Sequence, residues 1–205
     1  MIVDKLIKYK KDKFSNQVYS NIINDINKSD IFDKPVAHWL RMNRNIREQF
    51  KQGNKYYFFS DISGYFENIK INRLFSVLNF YTGRKEGEFE NILKKIFIKW
   101  QFAEAQGLVQ QHSASSILAK IYLTPIDSCF SHLKGKYSRY VDEFHIITYA
   151  QKKLLSNILI LSEQLRELGL NINVSKANTL RAKKYRMLYQ KIKFFLVEWI
   201  IFSVI

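Results

Sequence analysis

One cysteine, two prolines and seven glycines are all that a chain of 205 residues carries. The lone Cys129 excludes an intramolecular disulfide and a cysteine-based zinc site, and it suits a reducing, cytoplasmic setting. So little glycine and proline excludes collagen-like, linker-rich and low-complexity architectures, and predicts a chain dense in helix and strand. Long apolar runs are also missing. The longest, FFLVEWIIFSVI at residues 194–205, is interrupted by Glu198 and falls short of the roughly 20 residues that span a bilayer. Met1 to Lys13 mixes Asp4 and Asp12 with five lysines and lacks the apolar stretch and cleavage site of a signal peptide. No membrane partner is expected.

What is abundant points to a packed, cationic domain. Hydrophobic residues make up 47% and aromatics 15%, against 25% charged, which is too apolar for a disordered chain and enough for one large lobed domain. The net charge is +15, which suits a polyanion such as nucleic acid or a membrane surface. The excess is not uniform. Residues 34–58 hold six basic groups and one acid, and residues 169–205 hold seven and one, whereas 59–168 is nearly balanced at fourteen against eleven.

Periodicity divides the chain into elements. Residues 1–30 read as irregular helix. Pro35, behind an Asp33 cap, opens a helix in which Trp39, Met42, Ile46 and Phe50 recur at helical spacing, with Arg41, Arg44, Arg47 and Lys51 on other faces. YYFF then runs as a strand into Asp61. Helices are predicted over 71–81, 88–101 and 113–132, with a polar turn around Gly83 and Gly87. A hairpin follows, Tyr137–Val141 and Phe144–Tyr149, with Asp142 and Glu143 at its tip. Leu154, Leu155, Ile158, Leu161, Leu165 and Leu168 mark an amphipathic helix over 151–168, capped by Gly169, and Leu170–Val174 is predicted as a last short strand. Helices alternating with antiparallel strands give an α+β fold, a sheet backed by helices.

Asp61 ends a strand and Asp142 sits at a hairpin tip, so one sheet edge can bring them together. Paired carboxylates on rigid strands hold a hard cation such as Mg²⁺, or Mn²⁺ in its place, whose shell is completed by substrate phosphates. Two strand-end acids by themselves are far more often structural or solvated than metal-binding.

The wording around these acids resembles the fingers-and-palm region of reverse transcriptases. YFFSDISGYFENI (57–69) resembles the family's first catalytic block, an Asp followed five residues later by an aromatic. GLVQQHSASSILAKIYL (107–123) is similar to the second block, a Gly-x-Pro-Gln-Gly loop and a Leu-Ala-Asn-x-Tyr-Leu helix. RYVDEFHIIT (139–148) resembles the Tyr-x-Asp-Asp hairpin, and LGLNINVSKANT (168–179) the block that ends in Lys-Thr. The four blocks stand in the family's order over residues 35–180. The compact wording of the second and third blocks is most similar to bacterial defence-associated, abortive-infection reverse transcriptases, which implies an antiphage role.

The resemblance implies a palm with a ferredoxin/RRM-like sheet over 56–180, a helical partial fingers region over 1–55, and a basic then apolar tail over 181–205. Only residues 180–205 follow Thr179, too few for the family's helical thumb, so a palm without a thumb is expected. Asp61, Asp142 and Glu143 would hold the metals. Phe66 would screen the nucleotide 2′ position and favour deoxynucleotides, because a bulky ring leaves no room for a hydroxyl. Gln110, Arg41 and Arg44 would meet the incoming nucleotide, with Arg47 on the same cationic region. Gln111 and Ser115 would meet the template, and Lys176 would protonate the leaving pyrophosphate. The implied partners are an RNA template, a DNA primer or product and deoxynucleoside triphosphates, with a protein partner or a second copy on the apolar C-terminus.

The chain also departs from the pattern. Glu143 replaces the hairpin's second Asp, Val109 and Gln111 replace the loop's Pro and second Gly, and Lys120 replaces an Asn. The expected function is therefore RNA-directed DNA synthesis. The alternative is a truncated or impaired palm that binds nucleic acid or a partner.

Overall fold

Four short strands pair in the order β2-β3-β1-β4, every pair antiparallel. The structure is a computed structural model that describes residues 15–23, 32–82, 88–100 and 106–185. Most of the N-terminal stretch, the turn around Gly83 and Gly87, and the tail beyond residue 185 lie outside those residues.

In chain order the elements are α1 (Pro35–Lys51), β1 (Tyr56–Ser60), α2 (Tyr65–Asn68), α3 (Ile71–Thr82), α4 (Glu88–Trp100), α5 (Ser113–Tyr122), α6 (Thr124–Cys129), β2 (Tyr137–Tyr140), β3 (Glu143–Thr148), α7 (Gln151–Glu167) and β4 (Asn178–Arg181). Helices thus fill the connection from β1 to β2 and the one from β3 to β4. With the observed strand order this is the split βαβ arrangement of ferredoxin-like sheets.

Period-two alternation along the strands sends apolar side chains to both faces. Phe58, Tyr137, Phe144 and Ile146 pack against Leu74, Ile117, Tyr122, Leu154, Leu161 and Leu165 from the helices, forming the larger core. Tyr57, Ile147 and Leu180 on the opposite face meet Met42, Ile46 and Phe50 of α1 and Tyr185. Among the described residues no helix is long and apolar enough to cross a membrane.

Several expected elements are altered. The helix predicted over 113–132 breaks at Leu123, because Pro125 has no N–H to continue α5 and instead stands in the first turn of α6. Asp33 does not cap α1: Lys34 holds that position, and the Asp33 carboxylate takes the Lys34 N–H at 2.8 Å and the His38 ring at 2.9 Å. Residues 15–23 form turns and bridges, and no helix. The strand predicted at Leu170–Val174 reduces to one bridge, Ile62 to Ile172, and the fourth strand comes later, at Asn178–Arg181. On α7, Leu154, Leu161 and Leu165 are buried as expected, but Leu155 is exposed.

Candidate active site

β1 delivers Asp61 at its C-terminal end. There the chain turns sharply through Gly64, whose φ of 52° is left-handed and whose missing Cβ would lie 2.7 Å from the Asn68 amide. Asn68 closes the turn by donating to the carbonyls of Ser63 and Gly64. Residues 171–173 run antiparallel alongside: Ser63 N–H donates to Asn171, and Asn173 N–H donates to the Asp61 carbonyl at 2.9 Å. The tight turn that follows, with the N–H groups of Lys176 and Ala177 both on the Asn173 carbonyl, returns Lys176 to Asp61. Its Nζ lies 2.7 Å from Asp61 Oδ2.

The two partners differ in environment. Asp61 is only 13% exposed at its side chain, whereas Lys176 is 67% exposed. The hydrogen bond from Lys176 to Asp61, then the charges of Asp61, Asp142 and Glu143, raise the lysine's pKa, so it stays protonated at neutral pH. Asp61 Oδ1 is buried and accepts no hydrogen bond among the described residues.

Asp142 sits in the two-residue turn between β2 and β3, beside Val141. Val141 has φ 55°, a left-handed conformation that a β-branched side chain adopts only under constraint, at a cost of order 1–3 kcal/mol. Burial, and the charges of Glu143 and Asp61, raise the Asp142 carboxyl, while its own backbone hydrogen bond and Lys176 pull it down. Asp61, Asp142, Glu143 and Lys176 therefore share one electrostatic neighbourhood. Among the described residues Lys176 is the cation paired with Asp61, whose Oδ1 accepts no hydrogen bond, so the oxygen donors gathered here fit a divalent cation. Among the described residues no three His, Cys, Asp or Glu side chains close a metal cage by themselves, so such a cation would complete its shell with substrate and water oxygens.

A pocket of about 240 Å³ opens beside this pair. Trp39, Met42 and Asn43 of α1 form one wall, and Tyr57, Phe59, Glu143 and His145 of the sheet form the other, with Asp61 and Lys176 at one side. His145 Nδ1 lies 2.7 Å from the Tyr57 hydroxyl, and its Nε2 lies 3.8 Å from Glu143 Oε2.

The remaining expected site residues are distributed around this centre. Phe66 is half-buried in α2, packed on the larger core and edge-on to Tyr65 with ring centroids 5.3 Å apart, and it does not line the pocket that holds Asp61. Gln110 and Gln111 are exposed, and Gln111 has φ 65°. The loop thus keeps a glycine conformation after losing the glycine. Ser115 is buried in the first turn of α5. Arg41 and Arg44 are exposed on α1, and the Arg41 guanidinium stands 5.2 Å from the Tyr19 ring centre.

Sequence reasoning missed the buried polar groups behind the hairpin. Arg139, wholly buried, donates Nε to Asp127 Oδ1 at 2.8 Å and Nη2 to Oδ2 at 2.5 Å, and the Tyr137 hydroxyl adds a third bond to Asp127 at 2.7 Å. The signal was an arginine at an inward position of a strand whose neighbours on that face are Tyr137 and Phe144.

Comparison with known proteins places the chain. Residues 7–192 match the profile of the family described as reverse transcriptase (RNA-dependent DNA polymerase). No curated protein matches. The fold is similar to apo telomerase from Candida tropicalis truncated from its C-terminal domain, with 17% identity and a TM-score of 0.58 over 88% of this chain and 39% of that one. It is also similar to apo telomerase from the same organism, at 16% identity and a TM-score of 0.59 over 89% and 37%. A third likeness is to that telomerase in complex with a TWJ fragment of telomeric RNA, at 17% and 0.54 over 88% and 32%. The chain therefore spans about a third to two fifths of the length of these structures, and the likeness to them concerns the fold.

Proposed function

Since the chain belongs to the reverse transcriptase family, we propose that it performs that family's reaction, adding deoxynucleotides to a primer 3′ end opposite an RNA template. The observation that carries this reading is the Lys176–Asp61 contact beside the Asp142 turn, which gathers opposite charges at one edge of the sheet. Asp61 and Asp142, with Glu143 beside them, would hold the divalent cations, Mg²⁺ or Mn²⁺. When bound, these neutralise phosphate charge and lower the pKa of the attacking hydroxyl. The primer 3′ hydroxyl gives its proton to water as its oxygen forms a bond to the α-phosphorus, the bond from that phosphorus to the bridging oxygen breaks, and pyrophosphate leaves with the electron pair. Lys176, held protonated by Asp61 at 2.7 Å, would give that pyrophosphate a proton.

In this reading Phe66 limits the sugar to deoxyribose, Gln110 and the exposed Arg41 and Arg44 meet the triphosphate, and Gln111 and Ser115 meet the template. The setting is cytoplasmic, in antiphage defence. A second reading, an impaired palm that binds nucleic acid or a partner, is favoured by one observation: Glu143 is half exposed and turned toward His145. Single-nucleotide addition with the unmutated chain and with Asp142→Asn separates the two. An enzyme extends a primer, loses extension in the variant and keeps its nucleic-acid affinity. A binding module extends no primer in either form.

A further inference from the structure

Val141 is strained and lies next to Asp142, so something must hold it. The two peptide groups that flank its Cα are each gripped. The Val141 N–H donates to Ser20 Oγ at 2.6 Å, and the Val141 carbonyl accepts from Arg139 Nη1, also at 2.6 Å. Both groups are themselves fixed. Arg139 is oriented by its two bonds to Asp127 inside the larger core. Ser20 is brought in by residues 17–19, which run parallel to β2: Arg139 N–H donates to the Gln17 carbonyl, Tyr19 N–H donates to the Arg139 carbonyl, and Val18 bridges to Arg139. Lys120 ties the end of that segment down by donating to the carbonyls of Ser20 and Asn21.

We propose that Ser20, together with the Asp127–Arg139 ion pair, positions the catalytic turn: the two bonds hold Val141 in its left-handed conformation and so fix the direction in which Asp142 leaves the hairpin. They are positioning residues, because none of the three bonds to Asp142. Glycine adopts φ 55° without strain, so the grip matters only while residue 141 carries a side chain. For its kinetic consequences alone, the inference rests on the polymerase reading above.

The test uses the full chain with Ser20→Ala, Val141→Gly and the double variant. Three quantities are measured: urea unfolding, Mn²⁺ binding, and single-deoxynucleotide addition. Ser20→Ala is expected to lower kcat and Mn²⁺ affinity about fivefold, the effect of one lost hydrogen bond, with KM for the nucleotide within about twofold. In the Val141→Gly background the same substitution should change kcat and Mn²⁺ affinity less than about twofold, and the two substitutions should be coupled in unfolding. Arg139→Lys, which keeps the charge but cannot span Asp127 and Val141 together, should show the same loss of kcat with KM unchanged. Equal losses in both backgrounds, or additive effects on unfolding and Mn²⁺ binding, would overturn the proposal whether or not the chain polymerises. Coupled unfolding in a chain that neither binds Mn²⁺ nor extends a primer would support the grip and refute the polymerase reading instead.

Discussion

Lys120 stands where the family's block has an asparagine, and its burial makes a sharp prediction about stability and pH. The ammonium is enclosed in α5, and burial first, then the nearby Arg139 charge, push its pKa down to about 7 from 10.5, against the opposing pull of Asp127. Between those values the unfolded chain carries a proton that the folded chain has released, so stability rises with pH by at most about 1.4 kcal/mol per unit. Integrating from pH 7, where the folded lysine is half titrated, to pH 9 gives about 2 kcal/mol; below pH 6 the term is flat. The assay is urea unfolding of the unmutated chain and of Lys120→Met at pH 6, 7, 8 and 9. Methionine fills similar volume and removes the proton. The bonds it forfeits to Ser20 and Asn21 are a nearly pH-independent offset that drops out of the comparison. The unmutated chain should gain on the variant by about 2 kcal/mol between pH 7 and 9. A difference that stays constant from pH 6 to 9 would refute the reasoning and put the ammonium in contact with water.

Three further outcomes follow from the site. Asp142→Asn should raise the melting temperature at pH 7 in the absence of metal, because a carboxyl whose pKa is raised by burial and by Glu143 and Asp61 loses folded-state stability as pH rises through that pKa; thermal scans at pH 4 and 7 should show the gain only at the higher pH. Adding Mn²⁺ should then raise the midpoint of the unmutated chain and leave that of Asp142→Asn nearly unmoved. Gln111→Gly should be neutral to stabilising by about 1 kcal/mol in urea unfolding, since φ 65° strains glutamine and not glycine; a clear loss would show that the glutamine side chain stabilises the loop. Phe66→Ala should cost about 2 kcal/mol as a half-buried aromatic and increase ribonucleotide incorporation in a side-by-side extension assay; unchanged sugar discrimination would leave Phe66 a packing residue only.

The readable parts of the fold are those where one local pattern decides. α3 and α7 follow helical spacing of apolar residues, and β1, β2 and β3 follow YYFF and the acid-tipped hairpin. β4 was hidden because it is a polar edge strand, Asn-Thr-Leu-Arg, in which only Leu180 is buried. Leu170–Val174 looked more strand-like by composition, yet the turn at 174–176 that carries Lys176 to Asp61 ends it after one bridge. Leu155 read as core because apolar spacing tolerates two faces on a long helix, and only packing chose between them. The Asp61 and Asp142 neighbourhood was legible from motif order. Ser20, Asp127 and Arg139 were not, because their meeting depends on residues 17–19 pairing with β2 and on the Arg139 side chain reaching Asp127 of α6, which no short stretch of sequence encodes.

The pairing of residues 17–19 with β2 also bears on how the chain comes together. Ser20 and Val141 are 121 residues apart in sequence, so their bond closes one of the longest loops in the fold. β2 is an edge strand, and until that segment docks, its outer N–H and C=O groups are open to pairing with any other extended chain. During synthesis residues 17–19 emerge well before β2, while the helices that follow β1 can condense on local contacts. The Val141–Asp142 turn therefore rests on a contact between sequence-distant segments, and until that contact forms the outer edge of β2 stays open to association.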